Sequence, residues 1–212
     1  MVKNIHNLRS FLDIYCKKNN KNIFYISEDK SKEIKYFQLI KILKNFIFIL
    51  KKKKIRKNNK ILVVLDNSLE LLLTFLGTLY NHRVFIPINP NSGSNEIDYI
   101  VKKTNPSLII TNPDFKKKVN NIKNIKKLII LNENFLNFLF NKNLLIKDDN
   151  FSDNQNLVAQ ILFTSGSTGN PKGVILTHRS ILVNLFDIHN ALKIKTDKPR
   201  FLSVTPLYHN NG

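Results

Sequence analysis

Apolar residues along the chain follow two alternating rhythms: short unbroken runs that suit buried strands, and longer stretches in which they return every three or four positions, as on one face of a helix. The pattern predicts a helix over 6–18, a short strand over 22–26 and a second helix over 36–50, where Phe37, Ile40, Leu43, Phe46, Ile47 and Leu50 mark one face. A buried strand is predicted over 61–65, then a helix over 68–80 capped by Ser68, then a strand over 84–86 that Pro87 and Pro90 end. After a polar loop at 89–93 the same rhythm gives a helix over 94–104, a strand over 108–111, a helix over 114–122 and strands over 128–131 and 157–163. Strands alternating with helices predict an α/β fold with largely parallel sheets flanked by helices. The polar, acid-containing stretch 142–156 is the least patterned and reads as a surface loop or linker within one domain spanning 1–212.

Composition narrows the function classes. Lys and Arg number 34 against 15 acidic residues, a formal charge of +19, which raises the question of nucleic acid or an anionic membrane. The excess is mostly Lys spread beside Asn and Ile, and the one dense run, Lys51 to Lys54, follows a helical pattern where cations suit a helix C-terminus, so it reads as a solvated helix end. No specific nucleic-acid partner is expected. Lys or Asn breaks every apolar run before it reaches the roughly 18 residues of a membrane span. The lone Cys16 allows no internal disulfide and reads as a small buried apolar residue; with no export signal at the start of the chain, a reducing cytoplasm is expected. No metal site is expected from the scattered histidines.

The chemistry concentrates in Phe163-Thr164-Ser165-Gly166-Ser167-Thr168-Gly169-Asn170-Pro171-Lys172-Gly173, which follows a predicted strand and precedes another at 174–177. Glycines let backbone N–H groups approach oxygen closely, hydroxyls add donors and a lysine adds charge, a composition suited to an oligophosphate. It differs from a Walker loop, in which Lys follows the last Gly directly and a helix opens there. The plainer reading is a flexible hairpin tip, which rarely combines these residue types.

The segment resembles the signature loop of the AMP-forming acyl-CoA synthetase, peptide-synthetase adenylation and luciferase superfamily. Lys35-Tyr36-Phe37-Gln38-Leu39, Phe85-Ile86-Pro87-Ile88-Asn89-Pro90 and Thr205-Pro206-Leu207-Tyr208-His209-Asn210-Asn211-Gly212 are similar to further segments of that family, so the resemblance spans nearly the whole chain. It implies the incomplete N-terminal domain of the adenylate-forming fold. It also implies that Thr164, Ser165, Gly166, Ser167, Thr168 and Gly169 wrap the β- and γ-phosphates of ATP, that Lys172 neutralises the departing pyrophosphate, and that His209 lies near the reacting carboxylate. The implied co-reactants are ATP with Mg2+, a small carboxylic acid, and coenzyme A or a carrier-protein thiol. His178 is similar to a family position, although capping or packing is its expected work; Tyr208 is expected to be structural, in or near an acyl-pocket wall.

Two positions depart from the family pattern. His82 stands where a helix-closing Gly is usual, so Asn81 is expected to take the left-handed turn or the helix to end differently. Gln38 replaces an acidic residue, with little consequence expected on an exposed helix. The family's Tyr-Gly-x-Thr-Glu segment, ribose-binding Asp, hinge and C-terminal domain with its catalytic Lys are not in the sequence, so the 212-residue chain is expected not to turn over by itself. A competing class is a non-catalytic basic remnant that binds nucleotide or polyanions.

Overall fold

A computed structural model describes residues 5, 7–120, 122, 127–142, 144, 154–164, 170–193, 200–202 and 205–208. In chain order the elements are α1 (Leu8–Lys18), β1 (Ile23–Ile26), β2 (Glu33–Lys35), α2 (Tyr36–Lys52), β3 (Lys60–Val64), α3 (Leu69–Tyr80), β4 (Val84–Ile88), α4 (Ser94–Thr104), β5 (Leu108–Thr111), α5 (Lys116–Asn120), β6 (Leu128–Ile130), α6 (Glu133–Asn141), β7 (Val158–Thr164), β8 (Lys172–Thr177) and α7 (His178–Ala191). Six strands form one sheet in the order β6-β5-β3-β4-β7-β8, and β1 and β2 form a separate antiparallel pair. Every ladder in the large sheet is parallel except β7 with β8.

Strands β3, β4 and β5 are buried on both faces, and their period-two alternation sorts side chains into two cores. Ile61, Val63, Phe85, Leu108 and Ile110 point to the side covered by α1, α2, α3, α6 and α7. Leu62, Val64, Ile86, Ile88 and Ile109 point to the side covered by α4 and α5. Helices α2 and α3 approach closely at Gly77, where an added Cβ would stand 2.7 Å from Cδ1 of the buried Phe46. Asn45, 0% exposed, donates from Nδ2 to the carbonyls of Leu139 and Lys142 at 2.8 and 2.7 Å, fastening the C-terminal end of α6 to α2.

Local chemistry accounts for most boundaries. Ser68 caps α3 by accepting from the Leu71 N–H at 3.2 Å. Gln38 has work at the start of α2: its Oε1 accepts the Lys35 N–H at 2.8 Å, one half of a capping box for which an amide oxygen suffices. The Lys51 to Lys54 run is exposed at the end of α2, as expected of a solvated helix end. Cys16 is 1% exposed, and burial first, then Asp13, pushes its thiol up to about 12.

Three expectations need correction. The strand predicted to stop before Pro87 runs through it to Ile88, in register with Val63 of β3. On its other side β4 pairs with β7 at Phe85↔Gln160, upstream of Pro87, so the proline sits where that neighbouring ladder does not need its missing N–H. Helix α3, just before His82, takes the second of the two endings expected: Asn81 has φ −102°, and His82 itself adopts the left-handed conformation with φ 53°. The helix predicted over 114–122 shrinks to α5, because Asn112 accepts the Phe115 N–H and holds a turn there instead. Phe37, assigned to the apolar face of α2, is exposed. Strand β2 and helix α6 were not foreseen. Most of the stretch 142–156, including 143 and 145–153, lies outside the described residues.

Candidate functional site

Strands β7 and β8 form a regular antiparallel hairpin with pairs from Ile161↔Ile175 to Thr164↔Lys172. Thr164 and Lys172 are therefore paired across the mouth of the glycine-rich loop, and both are exposed. The expected ligating residues Ser165, Gly166, Ser167, Thr168 and Gly169, and also His209, lie outside the described residues. Gly173 follows Lys172 for a packing reason: a Cβ there would stand 3.2 Å from Cζ of Phe163 and 3.2 Å from Cγ2 of Ile161, so the ring of the partner strand occupies the space of a side chain.

Below the hairpin mouth is a cavity of about 400 Å³ lined by Ile88, Asn89, Ser92, Glu96, Phe163, Thr164 and Tyr208, among others. Its walls are the C-terminal ends of β4 and β7, the 89–93 loop and the first turn of α4. The chain leaves β4 through α4 toward β5, on the far side of β3, and leaves β7 in the opposite direction toward the edge strand β8. In an open α/β sheet, a crevice at carboxyl strand ends where connections diverge is the usual ligand position. The loop wall is fixed by Asn89, whose Oδ1 accepts the Asn91 N–H and whose carbonyl accepts the Ser92 N–H, both at 2.9 Å, while the Lys118 ammonium donates to the Pro90 carbonyl. Sequence reasoning assigned Thr164 and the wall residue Tyr208 but missed Asn89, Ser92 and Glu96; the polar loop directly after a buried strand was the available signal.

The base of the hairpin is anchored away from the cavity. Thr177 caps α7, accepting the Ser180 N–H at 3.1 Å while Ser180 Oγ accepts the Thr177 N–H at 2.9 Å. His178, 0% exposed, packs its ring 5.2 Å from that of His82, 2% exposed. Both imidazoles are pushed down to about 4: His82 by burial first and then by His178, Arg9, Lys57 and Arg83, and His178 by burial. Packing is thus the work of His178, as expected.

Known proteins resemble this chain in sequence and in fold. The chain is 31% identical over 170 residues to 4-coumarate–CoA ligase 3 of Arabidopsis thaliana, covering 73% of this chain and 29% of that enzyme. It is 26% identical over 157 residues to bacitracin synthase 2 of Bacillus licheniformis, covering 74% of this chain and 6% of the synthase. Among solved structures, apo MatB from Rhodopseudomonas palustris superposes with a TM-score of 0.83 at 18% identity, over 98% of this chain and 41% of MatB. The N-terminal domain of FACL13 from Mycobacterium tuberculosis does so with a TM-score of 0.69 at 20% identity, over 83% of this chain and 45% of that one. The chain therefore spans less than half the length of each of these, and its α/β architecture is that of the two solved structures. Because the match to the AMP-binding enzyme family runs through residues 12–212, taking in the hairpin, the cavity and the helices that support them, the chain belongs to that family.

Proposed function

We propose that this chain supplies the triphosphate-binding part of an AMP-forming ligase that activates a carboxylic acid and passes the acyl group to the thiol of coenzyme A. The observation that carries this is the Thr164↔Lys172 pair at the mouth of the glycine-rich loop, above a cavity at the carboxyl ends of parallel strands. The Lys172 ammonium repels a cation and attracts phosphate oxygens, to which the Thr164 hydroxyl can also donate, so this pair suits the nucleotide, with Mg2+ brought on the triphosphate. Lys172 neutralises charge on the β- and γ-phosphates, Thr164 with Ser165 to Gly169 donates hydrogen bonds to them, and His209 orients the carboxylate. A carboxylate oxygen attacks the α-phosphorus, the bond to pyrophosphate breaks and acyl-adenylate forms; thiol attack on the acyl carbon then expels AMP. Positioning and charge stabilisation do the protein's share of that work.

Similarity to a coumarate–CoA ligase supports coenzyme A as acceptor, and similarity to bacitracin synthase 2 supports the second reading, an adenylation domain that loads a carrier protein. A MatB structure described as ATP-bound, with a TM-score of 0.74, supports ATP as the nucleotide. Among the described residues no helix is long and apolar enough to cross a membrane, and the free buried Cys16 fits a reducing cytoplasm. We further propose that the 212 residues bind nucleotide without turnover.

Calorimetric titration of the chain with MgATP, and with RNA across a salt series, tests the proposal. Saturable MgATP binding that weakens in Lys172→Ala is expected, with no acid-dependent ATP–pyrophosphate exchange. Salt-sensitive RNA binding without MgATP binding would favour a basic polyanion binder, and pyrophosphate exchange by the chain would overturn the absence of turnover.

A further inference from the structure

Asn67 sits in the turn between β3 and α3, at the carboxyl end of the central strand, and is exposed. Its side chain reaches a segment about 140 positions further along: Nδ2 donates to the Thr205 carbonyl at 3.0 Å, and Oδ1 accepts the Leu207 N–H at 2.7 Å. Accepting from one residue and donating to the residue two before it is the pattern that the C=O and N–H of one residue in a parallel strand make with the neighbouring strand. The intervening residue, Pro206, has no N–H and leaves both bonds to Thr205 and Leu207. Beyond this contact, Leu207 packs on the larger core and Tyr208 lines the cavity with Thr164 and Phe163.

We infer that Asn67 is a positioning residue: its amide acts as a one-residue parallel-strand splice that fixes residues 205–207 beside the end of β3 and so sets Tyr208 in the cavity wall. The chemistry is specific to asparagine. Aspartate keeps the acceptor for Leu207 but turns a carboxylate toward the Thr205 carbonyl, alanine keeps neither bond, and glutamine carries its amide one methylene too far. The inference deepens the proposed function, and rests on it for any effect on nucleotide, because the spliced segment leads directly into His209.

Two readouts test it in the whole chain. The first is hydrogen exchange at the single Leu207 amide, by NMR. Asn67→Ala should exchange about tenfold faster than wild type, and Asn67→Asp within about twofold of wild type, because only the former loses the acceptor. The second uses Tyr208→Trp as a reporter, since the chain has no other Trp: adding Asn67→Ala should lower its fluorescence anisotropy and shift its emission to the red while the melting temperature stays unchanged. Unchanged Leu207 exchange in Asn67→Ala, or Asn67→Asp behaving like Asn67→Ala, overturns the splice. With the splice intact, MgATP should change the reporter's emission, and Asn67→Ala should weaken that response about fivefold or more. Failure of MgATP to bind the parent chain overturns the functional reading, and the exchange comparison still decides the splice.

Discussion

Acidification is the sharpest probe of the corner where α3 meets α7. His82 and His178 are held near 4 against an ordinary 6.5, chiefly by burial, so the folded state keeps both rings neutral where the unfolded chain has already taken up protons. The contribution is complete above the unfolded value. It declines as pH falls from about 6.5 toward 4, and it declines no further once the folded state titrates as well. Each pH step inside that window costs about 1.4 kcal/mol per histidine, so roughly 2.5 kcal/mol apiece has gone by about pH 4.5. Against a total stability of about 5–15 kcal/mol the pair decides whether the fold survives mild acid. Asp29, held down to about 2 first by its bond from Ser27 and then by Ser31, loses its contribution below its ordinary 3.8, outside the window. Urea unfolding followed by circular dichroism between about pH 7.5 and about pH 4.5 should show a loss of about 5 kcal/mol in the wild type. His178→Leu, which keeps an apolar side chain and removes one titrating ring, should lose about half as much over the same interval. Equal stability at both ends of the range, or a variant that follows the wild-type line, refutes the reasoning.

Other perturbations act on separate parts of the molecule. Lys172→Ala should raise the MgATP dissociation constant about tenfold without moving the melting temperature, because Lys172 is exposed; calorimetry that gives wild-type affinity would remove Lys172 from the site. Gly77→Ala brings a methyl to 2.7 Å from Phe46, which is 1% exposed and must shift to admit it. The overpacking cost of about 1–3 kcal/mol then exceeds the roughly 1 kcal/mol that Ala gains over Gly in a helix, so a melting temperature at or above wild type would contradict the contact. Asn45→Ala strips the donors from the Leu139 and Lys142 carbonyls and should cost about 2–4 kcal/mol; chemical denaturation should detect it, with faster tryptic cleavage after Lys142, and an unchanged midpoint would refute the anchor.

What was legible in the sequence was what local chemistry decides. The bounds of α4 and β5 follow from the 89–93 loop before the helix and from Asn105, which takes φ 46° to end it. The hairpin could be read because its hydroxyls, glycines and lysine are consecutive, and Thr164 and Lys172 then pair as two strands meeting at a loop must. Contacts set by tertiary packing stayed hidden. Pro87 looked like a strand end because its tolerance depends on where the β7 ladder lies. His82 looked an unlikely left-handed residue until its ring was seen to pack on His178, about 96 positions away. Helix α6 is rich in Asn, and the buried amide of Asn45 that fastens its end comes from α2. Asn67 carries no local signal at all, since both of its partners lie beyond residue 200.

The way β7 is attached has a mechanical consequence. With β8 it shares a ladder from Val158↔Thr177 to Thr164↔Lys172, whereas with β4 the paired position is Phe85↔Gln160. The strand that leads into the glycine-rich loop is thus held on both sides, by its antiparallel ladder to β8 and by its packing along β4. Thr164 stands on an inner strand and Lys172 on the edge strand, so the spacing between the two donors offered to a polyanion is set by the distance between neighbouring strands.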